Sequence, residues 1–155
     1  MAYPTSFDVY ELGDGWSGKR ELQVYSDNGH GVVHVSLKFG DGPPADFLLV
    51  RSRQVGTDKL TLLRDLSRLG LVPEIPEPAD QVAESQLPPT PAPARTIQVT
   101  VGAQPEVFDY WTAGGEWVAR GTHGRTAVVL CGSNGFPMDT AVLRQVGDLN
   151  AYRSG

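Results

Sequence analysis

The sequence predicts an α+β fold of two tandem β-β-β-β-α units, residues 1–72 and 96–155, joined by an acidic, proline-rich linker at 73–95. Each unit is expected to be an antiparallel sheet backed by its own C-terminal helix. Three observations carry this. First, a strand-length apolar run, a polar turn and an apolar helical stripe occur twice, 80 residues apart. Phe47-Leu48-Leu49-Val50 precedes Leu62, Leu63, Leu66 and Leu69, and Ala127-Val128-Val129-Leu130 precedes Val142, Leu143, Val146 and Leu149. The i, i+1, i+4, i+7 spacing lines one face of a helix. Second, short segments of period-two alternation separated by turn residues stand before each apolar run. Third, residues 73–95 hold 7 of the 12 prolines, four acids and no aromatic residue.

In chain order, Phe7 to Leu12 alternates as a half-buried strand, and Gly13-Asp14-Gly15 ends it. A second strand runs from about Lys19 to Tyr25, with Leu22 and Val24 on one face. Asn28-Gly29 is a hairpin signal, and Val32 to Phe39 returns. Gly40 to Pro44 turns into the strand opened by Phe47. Thr57 or Asp58 caps the helix, and Gly70 with Pro73 stops it. Composition makes the linker a semi-rigid tether without apolar anchors, with recognition as a proline-rich ligand the alternative. In the second unit Thr96–Val101, Val107–Thr112, Glu116–Gly121 and Thr126–Cys131 read as strands, with Gly114-Gly115 as a hairpin turn. Asp139 is read as the cap of a second helix, weakened by Gly147.

The net charge of −5 divides as −1 over residues 1–72 (8 basic, 9 acidic), −3 over 73–95 (1 basic, 4 acidic) and −1 over 96–155 (4 basic, 5 acidic). Neither unit has the cationic excess of a strong duplex binder. No apolar run is long enough to span a membrane, and the first residues lack the basic and apolar regions of a signal peptide. A single cysteine, Cys131, permits no intrachain disulfide, which points to a reducing cytoplasm.

No catalytic or metal constellation emerges. His30, His34 and His123 share no spacing on one element, and a zinc site needs three or four clustered ligands. Nothing in the spacing brings Cys131 to His123 and Asp109, and a lone cysteine at a strand end reads as a small core residue. Gly132-Ser133-Asn134-Gly135 lacks the Lys-Ser/Thr of a phosphate-binding loop. No cofactor is expected.

Phe108, Tyr110, Trp111 and Trp117 crowd one hairpin, with Arg120 and Arg125 nearby. On a strand Trp111 points away from Phe108 and Tyr110, so one helix leaves part of the set to be covered by something else. An aromatic platform for a protein or for stacked bases is the functional reading. Lys19, Arg20, Lys38, Arg51 and Arg53 form a modest basic stripe in the first unit, diluted by Glu21, Asp41 and Asp46.

From Leu22 to Arg53 the chain resembles the SsgA-like proteins of actinobacteria. A Tyr, a turn, Val33-His34-Val35, Gly40 and Phe47-Leu48-Leu49-Val50-Arg51 come in similar order. Two ββββα units resemble the wider Whirly-type topology, shared with plant Whirly proteins and Pur repeats. That resemblance implies either single-strand nucleic-acid binding on the sheet or protein recruitment, and carries over no site residue. Taken together, the sequence leads us to expect a non-enzymatic protein-binding or self-associating module with a sheet-borne aromatic surface. A single-strand nucleic-acid binder is the alternative.

Overall fold

The computed structural model describes residues 4–12, 20–27, 31–40, 46–75, 87–134 and 142–147, with the backbone alone at 20, 21, 25–27 and 31. Lys19 and the Asn28-Gly29 turn lie outside the described residues. The elements are β1 (Tyr10–Leu12), β2 (Arg20–Asp27), β3 (Gly31–Gly40), β4 (Phe47–Gln54), α1 (Lys59–Arg68), β5 (Arg95–Val101), β6 (Gln104–Ala113), β7 (Glu116–His123), β8 (Thr126–Ser133) and β9 (Val142–Gln145). They form one nine-stranded sheet in the order β1-β9-β5-β6-β7-β8-β4-β3-β2.

This corrects the expectation of two ββββα repeats with separate antiparallel sheets. The fourth strand of each supposed unit pairs with the other: β4 and β8 run antiparallel from Leu48↔Gly132 to Gln54↔Thr126. The two apolar runs therefore sit side by side at the centre of one sheet, and β8 is buried on both faces from Thr126 to Gly132. The sheet is mixed, because β9 lies parallel to β5 through Thr100↔Val142 and Val101↔Leu143.

The expected second helix is also corrected. Within its span Val142–Gln145 is strand, with Leu143 buried and Val142 about half exposed. Pairing on both sides, to β5 and to β1, satisfies the backbone there and overrides the helical stripe. Residues 135–141 and 148–155 lie outside the described part.

Alternation along the strands divides the core in two. The inner face carries Leu22, Val35, Leu37, Phe39, Leu48, Val50, Val99, Val101, Phe108, Trp117, Ala119, Val128 and Leu130. The N-terminal segment closes it: Phe7 and Val9 are fully buried in the same cluster, and Tyr10 N donates to Ser52 Oγ at 3.1 Å. The sheet curls so that β1, at one end of the strand order, lies beside β4. Asp8 N donates to Thr126 Oγ1 at 2.7 Å, and Arg125 Nη2 donates to the Asp8 carboxylate at 3.0 Å.

The outer face is covered by α1. Leu62, Leu63 and Leu66 pack on Phe47, Trp111, Val118, Val129 and Cys131. Asp58 stands at the N-cap position but caps nothing with its side chain. Its carboxylate instead receives Arg120 Nε at 2.7 Å and Nη2 at 3.0 Å, tying the helix start to β7.

The described ends of the 73–95 stretch do have apolar anchors, contrary to the composition-based expectation. Ile75 is buried in the outer cluster and Leu87 packs against it. Trp111 Nε1 donates to the Pro91 carbonyl at 3.1 Å, and Ala94 N donates to the Tyr110 carbonyl at 2.8 Å before β5 begins.

Candidate functional site

The aromatic hairpin is core. Phe108 and Trp117 are buried on the inner face, Trp111 is buried under α1 and the Pro91 carbonyl, and Tyr110 is partly buried with Arg95 over its ring at 4.7 Å. Trp111 does point opposite to Phe108 and Tyr110, and both directions are covered within this one chain. The expected aromatic platform is therefore not an exposed surface of the described residues. Arg120 is committed to Asp58. Arg125 holds the N-terminal segment through Asp8 and the Thr5 carbonyl, the latter at 2.8 Å.

The basic stripe fares differently. On β4, alternation sends Leu48, Val50 and Ser52 inward and Leu49, Arg51 and Arg53 outward. On β3 it sends Val35, Leu37 and Phe39 inward and leaves His34, Ser36 and Lys38 on the outer face. Register places Gln23, Ser36 and Arg51 in one row across β2, β3 and β4. The helix packs on β7 and β8. Beside its Thr61 and Arg64 the outer face remains open as a cleft of about 380 Å³, lined by Gln23, His34, Ser36, Leu49, Arg51, Arg53, Thr61 and Arg64. Lys38 shares the face, one row beyond, opposite Leu49. Arg20 lies in β2 opposite Phe39, and only its backbone is described.

Within the cleft the arginines are not equivalent. Arg51 makes a bidentate pair with Asp65 of α1, Nη1 to Oδ1 at 3.0 Å and Nη2 to Oδ2. Its Nε is buried without a partner among the described residues. Arg53 donates Nε to Thr57 Oγ1 at 3.3 Å and has no carboxylate bonded to it among the described residues. Burial pulls its pKa below the ordinary arginine value, with the charge of Asp58 opposing. His34 is held neutral, its pKa lowered to about 3 by burial first and then by Arg53 and Arg51. The lining thus offers guanidinium N–H groups, a neutral imidazole, two hydroxyls and an amide, and it contains no carboxylate.

Such a set can bind an anion. No cluster of three or more metal-ligating side chains occurs among the described residues. No helix among them is long and apolar enough to cross a membrane. Arg51 and Arg53 were visible in the sequence as part of the stripe. His34, Gln23, Ser36, Thr61 and Arg64 were not singled out for a site. Their only sequence signal was the polar half of the β3 alternation and the polar side of the helix.

Comparison of the chain with family models, with curated proteins and with solved structures gives no match. Those comparisons do not test the likeness to Whirly-type and SsgA-like proteins.

Proposed function

We propose that the chain is a non-enzymatic protein-binding module that receives an acidic segment of its partner in the arginine cleft between α1 and β2–β4. One observation carries this reading: Arg53 is half-buried with no carboxylate bonded to it among the described residues, in a cleft whose lining has no acidic side chain. A partly buried guanidinium with no carboxylate bonded to it is costly even with the charge of Asp58 nearby, and an incoming carboxylate or other anion relieves that cost through a two-pronged hydrogen bond. The buried free thiol of Cys131 fits a reducing cytoplasm, where we place the protein.

Single-strand nucleic-acid binding has less behind it. Base stacking needs exposed rings, and Phe108, Trp111 and Trp117 are covered. A labelled Glu/Asp-rich peptide and a labelled oligothymidine, each titrated against the protein by fluorescence anisotropy, separate the two. The peptide should bind, weaken as salt screens the cleft, and lose binding in an Arg53→Ala/Arg64→Ala variant that still melts cooperatively. Binding of the oligothymidine alone would hand the cleft to nucleic acid.

A further inference from the structure

The run that leads into β5, Leu87-Pro88-Pro89-Thr90-Pro91-Ala92-Pro93-Ala94, carries no charged side chain. Its prolines fix their own φ at about −65°. Leu87, Pro88, Thr90 and Ala92 each precede a proline, which disfavours the helical region for them as well. The backbone over 88–93 is accordingly neither helix nor strand, and these constraints leave it a polyproline II rod with about three residues per turn. Burial follows that period. Pro88 and Pro91 are half-buried, whereas Pro89, Thr90, Ala92 and Pro93 are exposed. One ridge of a three-sided rod thus lies against the protein, and the ridges Pro89/Ala92 and Thr90/Pro93 face outward. The rod is fixed along its length. Leu87 packs on the outer cluster, Trp111 Nε1 donates to the Pro91 carbonyl at 3.1 Å, and Ala94 N donates to the Tyr110 carbonyl at 2.8 Å. Among the described residues, the Pro91 carbonyl alone in the 88–93 run accepts a hydrogen bond.

We propose that residues 88–93 are a docking ligand for a protein domain that reads polyproline II helices in an aromatic-lined groove. A groove that takes a three-sided rod touches two of its ridges and the face between them, and that is the part the chain leaves open. Fixing the rod in advance lowers the ordering cost that a free proline-rich peptide bears on binding. The outward side offers proline rings, a methyl group and unbonded carbonyls, which suit aromatic rings and indole N–H donors; Trp111 already binds Pro91 in that way from beneath. The run has no cation for a nucleic acid. A second copy of this chain is a poorer receptor, because Phe108, Trp111 and Trp117 are buried in its own core. The proposal stands apart from the arginine cleft and does not depend on it.

A panel of purified WW, SH3 and EVH1 domains, titrated by calorimetry against the full chain and against the free peptide of residues 87–95, tests this. At least one domain should bind the chain, and about threefold or more tightly than it binds the peptide, which must still be ordered. A Pro89→Ser/Pro93→Ser variant, which removes one ring from each outward ridge, should weaken that binding by about tenfold or more and still melt cooperatively. Ala92→Glu keeps every proline and sets a carboxylate against the groove, and it provides the same test should the double variant melt early. No binding of any domain to the chain overturns the proposal. Tighter binding to the peptide than to the chain overturns it too, because the ridge being read would then be the one that Pro88 and Pro91 turn inward. Binding unchanged in both variants puts the site elsewhere and overturns it. Sedimentation of the chain alone covers the remaining occupant: a dimer that the same variants dissolve assigns the run to a second copy and overturns the foreign partner. None of these outcomes bears on the acidic-peptide titration that tests the arginine cleft.

Discussion

The ring of Phe108 lies against the backbone of Gly121: a Cβ on that glycine would overlap the Cδ1, Cε1 and Cγ atoms of the ring. Phe108 is fully buried on the inner face, so the ring has no free space to retreat into. Gly121→Ala should therefore destabilise by about 1–3 kcal/mol through overpacking, read from urea denaturation. Gly147→Ala is the control, because a Cβ there meets nothing within 4 Å. Equal midpoints for the two variants would remove the Phe108 ring from its place against Gly121 of β7.

The apparent repeat matched Leu66 with Val146 and Leu62 with Val142; Leu66 and Val146 are both buried, though in different clusters, whereas the fold separates Leu66 from Val142. Leu66 is fully buried on the sheet-facing side of α1, whereas Val142 is 49% exposed on β9. Leu66→Ala should cost about 2–5 kcal/mol, and Val142→Ala no more than about 0.5 kcal/mol. A large loss at Val142 would restore a packed second stripe.

Trp111 ties the proline-rich segment to β6 through its indole N–H and the Pro91 carbonyl. Trp111→Phe keeps a ring under α1 but removes the donor, leaving the carbonyl to find water. The expected loss is about 0.5–1.5 kcal/mol, together with faster proteolytic cleavage between residues 87 and 94. An unchanged cleavage rate would show that the bond does not hold the segment.

Much of the strand content was legible because period-two alternation and turn residues are local signals. The Gly114-Gly115 turn has φ of 61° and 85°, the mirror-image turn that such a pair predicts between two strands. The helix at Lys59–Arg68 followed from its stripe. What was not legible is non-local. The pairing of β4 with β8 joins residues far apart in sequence, and no local pattern distinguishes one sheet from two. Val142, Leu143 and Val146 fit a helical stripe and a short strand alike, and tertiary pairing decided between them. The opposed directions of Trp111 and Phe108 could be read from parity along a strand. That α1 and the Pro91 segment would cover Trp111 could not. Likewise Arg51 and Arg53 were visible, but their convergence with His34 and Arg64 depends on strand register and helix placement together.

Cys131 is fully buried beneath α1. Burial pushes its thiol up to about 11, the charge of Asp65 adding to the rise and Arg68 and Arg51 opposing it. At pH 8 the thiolate is a minute fraction and the sulfur is inaccessible. A disulfide reagent such as Ellman's should leave the native protein unlabelled and react promptly once guanidinium unfolds it. Native labelling at the rate of a small free thiol would mean that α1 leaves the sheet readily.

His34 gives the fold a specific acid sensitivity. Burial, then Arg53 and Arg51, lower its pKa from 6.5 to about 3, so the native state resists a proton that the unfolded chain accepts. Its contribution to stability is complete above the unfolded pKa and declines as pH falls from 6.5 toward 3, where the unfolded chain binds more protons. The loss approaches about 1.4 kcal/mol per pH unit, or about 2 kcal/mol between roughly pH 7 and pH 5. His34→Gln keeps a polar side chain at that position and cannot titrate. Urea unfolding of both proteins across this range should give a wild-type stability that falls with acid relative to the variant. Carboxylates common to both proteins, and His30 and His123, cancel in that difference. Parallel profiles would mean that the imidazole accepts its proton in the folded state as easily as in the unfolded one, and that Arg51 and Arg53 do not crowd it.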